Sequence, residues 1–135
     1  LPYLQEKGKK TFDINLEVYI QPENTEASLI SKSNFKYMYW SMAQQLAHHA
    51  SNGCRINSGD MMGSGTISGS TPDSFGSMLE LTWGGKNPLK LSDGTERKFI
   101  NDNDTVIMKG YCENKDIRIG FGEVCSKLLP PFTRK

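Results

Sequence analysis

Residues 11–20 read TFDINLEVYI. Phe12, Ile14, Leu16, Val18 and Ile20 fall on one side of a two-residue period, with Asp13, Asn15, Glu17 and Tyr19 on the other. That alternation predicts a half-buried β-strand. Gln21-Pro22-Glu23-Asn24 ends it with turn residues, and a short strand is expected over 27–31.

Downstream the period changes. Phe35, Met38, Tyr39, Met42, Ala43, Leu46, Ala47 and Ala50 recur at spacings of three and four, which predicts a helix over 35–50. Ser33-Asn34 offers its N-cap, and Asn52-Gly53 its stop. Tyr37, Trp40, Gln44 and His48 share a second face, so this helix is expected to pack on both sides, against another domain or subunit. The remainder reads as short strands: Met61-Met62, Met78 to Trp83, a hairpin about Asp93-Gly94 between 89–91 and 98–100, Thr105 to Cys112, and Ile117 to Phe121. One helix and about seven strands give a class of α+β, mainly β, in a single unit over 1–135.

A chain of 135 residues suits one domain. The formal net charge of +1 gives no electrostatic reason for nucleic acid or an anionic membrane as partner. The basic run Lys7-Gly8-Lys9-Lys10 reads as a solvated turn. Cys54, Cys112 and Cys125 are odd in number and contain no Cys-x-x-Cys, which argues for reduced thiols rather than a disulfide framework or zinc site, and for a cytoplasmic location. No apolar run is long enough to cross a bilayer. Leu1-Pro2-Tyr3-Leu4 lacks signal-peptide character and an initiator Met, and reads like the middle of something longer.

Several chemical motifs fail on spacing. Gly85-Lys86 has no glycine five residues upstream of the pair and Asn87 after it, so it is no P-loop. Gly63, Gly65 and Gly69 are one residue too widely spaced for a dinucleotide fingerprint. Gly65-Thr66-Ile67-Ser68-Gly69 sets its serine one place late for a hydrolase elbow. The adjacent His48 and His49 point about 100° apart on a helix and cannot chelate one metal as an i, i+4 pair would.

What remains is the stretch GSGTISGSTPDSFGSMLEL, residues 63–81. Its glycines can bring backbone close to a ligand, their N–H groups can hold an anion, and Thr66 supplies a hydroxyl among them. The plain alternative is a mobile surface loop. Glu80 stands among Met78, Leu79 and Leu81. In a strand it shares a face with Met78: covered, it is a buried acid needing a partner; solvated, it is ordinary. The pattern leaves both open.

The segments SNFKYMYWSMAQQLAHHASNGCRINSGDMMGSGTISG and FGSMLELTW closely resemble the C-terminal part of the fumarylacetoacetase family, and the resemblance runs from Leu1 through TFDINL to the Gly-Phe-Gly at 120–122. Relative to the wider superfamily pattern, Ser58 and Ile67 stand for prolines and Asn103 for a glycine; Ile67 is the form fumarylacetoacetases use. The resemblance implies a mixed β-roll, a homodimer, and hydrolysis of a carbon–carbon bond in a β-diketo acid, 4-fumarylacetoacetate, to fumarate and acetoacetate, the last step of tyrosine breakdown. It implies a divalent cation, Mg2+ or Ca2+, a histidine that activates water, and a metal-stabilised leaving carbanion. By the same resemblance Thr66 contacts substrate and Glu80 partners the catalytic histidine. The metal ligands, histidine and active-site lysine are expected upstream of this chain, which alone is expected to be inactive. The rival reading is a non-catalytic β-rich module that binds a small anion through its Gly/Ser loop.

Overall fold

The computed structural model describes residues 1–8 and 11–132. Lys9 and Lys10 of the basic run lie outside these residues. The expected strand forms as β1, Asn15–Gln21, and β2, Ser28–Asn34, turns back along it. A two-residue hairpin, β3 (Leu89–Lys90) and β4 (Glu96–Arg97), forms about Asp93-Gly94 as expected, with its second strand earlier than the sequence suggested. The two long strands β5, Thr105–Glu113, and β6, Arg118–Lys127, complete a four-stranded sheet in the order β2-β1-β5-β6, every pair antiparallel. The class is α+β, mainly β, as read from the pattern.

Register carries the alternation of TFDINLEVYI across the sheet. Leu16 lies opposite Ser33 and Gly110, and Val18 opposite Ser31 and Met108; Met108 in turn faces Val124. One face therefore passes from serines on β2 through aliphatic side chains to Val124 on β6. Bulges adjust it twice. Ile30 is the extra residue between Ser31 and Leu29, and Phe121-Gly122 together oppose Gly110. Gly122 has φ +79°, a left-handed backbone suited to such a bulge.

The helix expected over 35–50 is corrected. Asn34 does act as a cap, accepting from the Lys36 N–H, but only for a 3-10 turn at Phe35–Tyr37. Met38 is extended, and the helix proper, α1, spans Met42–Ser51. Its cap is Ser41: the Gln44 N–H donates to Ser41 Oγ at 3.1 Å, and the Ser41 N–H donates to Gln44 Oε1 at 2.9 Å. This reciprocal box satisfies two orphan donors and outcompetes Asn34. Asn52 and Gly53, at φ +76°, stop the helix as expected.

The packing of α1 is also corrected. Its inner face is the polar one. Gln44, 5% exposed, donates from Nε2 to the Leu4 carbonyl at 2.7 Å, while Met42 and Leu46 of the apolar stripe are exposed. The Tyr/Trp side is partly covered by the chain's own 3-10 turn, Pro2–Leu4, with Tyr3 stacked on His48 and bonded to its Nδ1 at 3.2 Å. Trp40 stays partly exposed. Tertiary hydrogen bonds, which a periodic count does not see, chose this orientation.

The strands expected at Met61-Met62 and Met78 to Trp83 do not form. The first lies in irregular chain, and the second is a four-residue helix, α2, Met78–Leu81. No helix among the described residues is long and apolar enough to cross a membrane.

Candidate functional site

The Gly/Ser loop is fastened to the sheet by the serines of β2. Ser33 Oγ donates to the Ile67 carbonyl at 2.9 Å, and Ser31 Oγ donates to the Phe75 carbonyl at 2.7 Å. Both serines are buried because these bonds satisfy them. Between the two anchors a 3-10 turn, Pro72–Ser74, doubles the loop back, and the Gly69 N–H closes it on the Ser74 carbonyl at 2.9 Å.

The two limbs then touch at Gly76. A Cβ there would lie 2.6 Å from the Ile67 carbonyl oxygen and 2.8 Å from Thr66 Cγ2. These distances exclude any side chain unless backbone moves, so Gly76 is required for close approach rather than for its φ. Its N–H donates to Ser68 Oγ at 3.0 Å.

Thr66 is exposed and lines a groove of about 340 Å³ over the sheet, with Leu16, Val18, Ser33, Gly76 and Met108. Glu80 lines a separate hollow of about 360 Å³ with Phe75, Leu79, Trp83 and Gly84. Within this chain the two residues thus line different hollows. A hydrogen-bonded chain links them: Gly76, which lines the Thr66 groove, donates its N–H to Ser68 Oγ, and Ser68 Oγ donates to Glu80.

Glu80 corrects the sequence reading in one respect and decides it in another. It sits on α2, not on a strand, and of the two exposures the pattern left open it takes the solvated one. The physical cause lies on both flanks. Ser77 caps the helix, its Oγ accepting the Glu80 N–H at 3.3 Å. At the other end Trp83, Gly84 and Gly85 all have positive φ, and the Gly84 N–H closes back on the Leu79 carbonyl at 2.8 Å, the 6→1 bond of a Schellman-type stop. The Ser-x-x-Glu spacing of Ser77-Met78-Leu79-Glu80 is a helix-start signature that could have been read in the sequence.

The carboxylate takes hydroxyl donors. Ser68 Oγ lies 3.0 Å from Oε1 and 2.9 Å from Oε2, and Ser77 Oγ donates to Oε2 at 2.8 Å. Sequence reasoning singled out neither serine. The histidines are elsewhere: His48 is engaged by Tyr3, and His49 is exposed on α1.

A second polar cluster lies on the opposite face. Glu17 accepts from Tyr19 Oη at 2.7 Å and Tyr111 Oη at 3.1 Å, and the Arg118 guanidinium sits 3.8 Å over the Tyr111 ring. The Tyr19 hydroxyl, opposed by burial and helped by Tyr111, holds the Glu17 carboxyl below its usual range. Glu17 in turn raises Tyr19, while burial first and Glu17 second raise Tyr111. This cluster is internally satisfied; Glu17 also borders the Thr66 groove, and no member lines the hollow of Glu80. Among the described residues, no three His, Cys, Asp or Glu side chains gather as a metal site.

Comparison with known proteins adds the family. Residues 5–128 match the model for the C-terminal domain of fumarylacetoacetate (FAA) hydrolase. The chain is 54% identical over 131 residues to the fumarylacetoacetase of Homo sapiens, covering 96% of this chain and 31% of that protein. To the fumarylacetoacetase of Dictyostelium discoideum it is 51% identical over 138 residues, covering 100% of this chain and 32% of the relative. With the Arabidopsis thaliana protein of the same name the figure is 48% over 131 residues, 96% and 31%. The chain thus spans about a third of the length of these relatives.

Proposed function

Because the chain belongs to the fumarylacetoacetate hydrolase C-terminal family, we propose that it forms the C-terminal part of the catalytic domain of a fumarylacetoacetase. That enzyme hydrolyses the carbon–carbon bond of 4-fumarylacetoacetate to fumarate and acetoacetate. The observation that carries this reading is identity near 50% to fumarylacetoacetases along nearly the whole chain.

In this reading Glu80 orients a histidine supplied from outside these 135 residues. The carboxylate accepts the imidazole N–H, fixes the tautomer, and stabilises the imidazolium formed when the ring takes a proton from water. The exposure of Glu80 supports that role, since a partner can reach it. Thr66 is the substrate-contacting hydroxyl, at the mouth of a groove whose floor is the sheet. Glycine on both limbs lets that backbone approach a small anionic substrate.

The residues here do not fit a resident Mg2+ or Ca2+, because no ligand cluster forms among those described. Such a cation would be held by residues outside the chain, and no step assigned to Thr66 or Glu80 runs through it. The proposal extends to a cytoplasmic homodimer whose completed domain is a mixed β-roll. Exposed Met42 and Leu46 on α1 are consistent with a further covering surface.

The test is Glu80→Gln in the full-length protein. An amide can donate as well as accept, so it permits the wrong tautomer. Turnover should fall on the order of 10²-fold or more, with little change in melting temperature because the side chain is exposed. Near-normal turnover would remove Glu80 from the mechanism.

A further inference from the structure

We infer that Ser68 is a positioning residue for Glu80: its hydroxyl fixes the carboxylate rotamer and leaves Oε1 as the oxygen that receives the partner's N–H. The inference rests on the role proposed above for Glu80.

A serine hydroxyl has one proton and can point it in several directions. Here the choice is made by backbone. The Gly76 N–H donates to Ser68 Oγ at 3.0 Å, occupying a lone pair, and the hydroxyl proton is aimed at Glu80, 3.0 Å from Oε1 and 2.9 Å from Oε2. Ser77 repeats the device, accepting the Glu80 N–H at 3.3 Å and donating to Oε2 at 2.8 Å. A hydroxyl that accepts from one N–H is a better donor through its own proton. Oε2 therefore takes both serines, while Oε1 only shares the proton of Ser68. The spare acceptor capacity is on Oε1.

The two serines are not equivalent. Ser77 belongs to the same short helix as Glu80 and moves with it. Ser68 comes from the other limb of the loop, two residues from Thr66 and one from Ile67, whose carbonyl is bonded to Ser33 on the sheet. It is the tie that references an exposed carboxylate, on a helix of only four residues, to the rigid strand β2. An exposed glutamate without such a tie samples several rotamers, and small errors in placing a catalytic partner are costly.

The experiment uses the full-length protein with Ser68→Ala, Ser68→Thr, Glu80→Gln, and Ser68→Ala combined with Glu80→Gln, measuring kcat, KM and thermal melt. Ser68→Ala should lower kcat by about tenfold and leave KM within about twofold, the pattern of an interaction felt in the transition state. Ser68→Thr keeps the hydroxyl and should restore most of kcat. In the Glu80→Gln background, Ser68→Ala should cost less than about twofold, because residues that act through one another are non-additive.

Equal losses from Ser68→Ala in both backgrounds would overturn the inference, as would a loss confined to KM or full activity of Ser68→Ala. Failure of Ser68→Ala to fold would overturn it too, since a residue acting only through Glu80 is not needed for folding. Near-normal turnover of Glu80→Gln alone would instead sink the role proposed for Glu80.

Discussion

The two edges of the sheet invert the usual rule of burial. On β2 the buried side chains are polar: Ser28, Ser31, Ser33 and Asn34. On β6 the exposed side chains include Ile119, Phe121 and Val124, the last of them 63% exposed. Ser31 and Val124 lie on one face, linked by the register through Val18 and Met108. What separates them is what lies above. The Gly/Ser loop offers β2 a layer of backbone carbonyls, which serine hydroxyls satisfy. Nothing among the described residues does as much for β6, so its apolar side chains are left bare. Residue polarity records what a strand will meet, and at β2 it meets backbone.

The polar side recurs at the turn into β5, where the strongest buried contact is ionic. Arg97 grips Asp104 with two bonds, Nε to Oδ2 at 2.8 Å and Nη2 to Oδ1 at 2.9 Å, and the Asn101 N–H adds a third at 2.9 Å. Their side chains are 12% and 2% exposed. Arg97→Ala leaves a buried carboxylate unpaired and should cost about 3–5 kcal/mol, the largest loss expected, read by denaturant unfolding. A loss under about 1 kcal/mol would show that this end is not closed by the pair.

The same contact fixes a pH dependence. The Arg97 guanidinium, opposed by burial and helped by the Asn101 N–H, holds the Asp104 carboxyl below its usual range. A lowered folded pKa means the unfolded chain binds more protons on the acid side. The stabilisation is complete above the unfolded value, about pH 4, and is lost as pH falls through the folded one. Arg97→Ala should shrink that acid-side loss.

Ser33→Ala tests the β2 side directly. It removes the hydroxyl from the Ile67 carbonyl and should cost about 1–3 kcal/mol, the range for a buried group losing its partner. A neutral result would mean the loop is held without it and that the polar burial of β2 is incidental. Val124→Ser sets the other limit. As an exposed position of this chain it should move stability by no more than about 0.5 kcal/mol. A clearly larger loss would mean that β6 is covered by something else, and the contrast between the edges would weaken.

Much was legible before the fold was known. The alternation in TFDINLEVYI placed β1 and its faces, and Asp93-Gly94 marked the small hairpin. Asn103 was read as standing where the wider pattern has glycine, and its φ of +69° is the left-handed backbone that position needs. Thr66 and Glu80 stand out in the sequence by their surroundings, and their roles come only from the resemblance. Around Glu80 the pattern misled: Met78 to Trp83 alternates like a strand, yet Ser77 and the positive-φ run 83–85 close it as a helix turn. Four residues are too few for periodicity to decide between the two.

By itself the sequence determined what depends on neighbours along the chain: strand alternation, turns at Asn-Gly and Asp-Gly, a mainly β class, and the family. Only the tertiary structure decided what depends on partners remote in sequence. It turned α1 so that Gln44 faces inward, because the Leu4 carbonyl lies there to accept its amide. It buried serines on β2 beneath the backbone carbonyls at 67 and 75. It brought Ser68 to Glu80 across a contact at Gly76 that leaves no room for a methyl group. A hydrogen bond between residues twelve or more apart leaves no local period behind, so its donor and acceptor become identifiable only once the chain has brought them within about 3 Å.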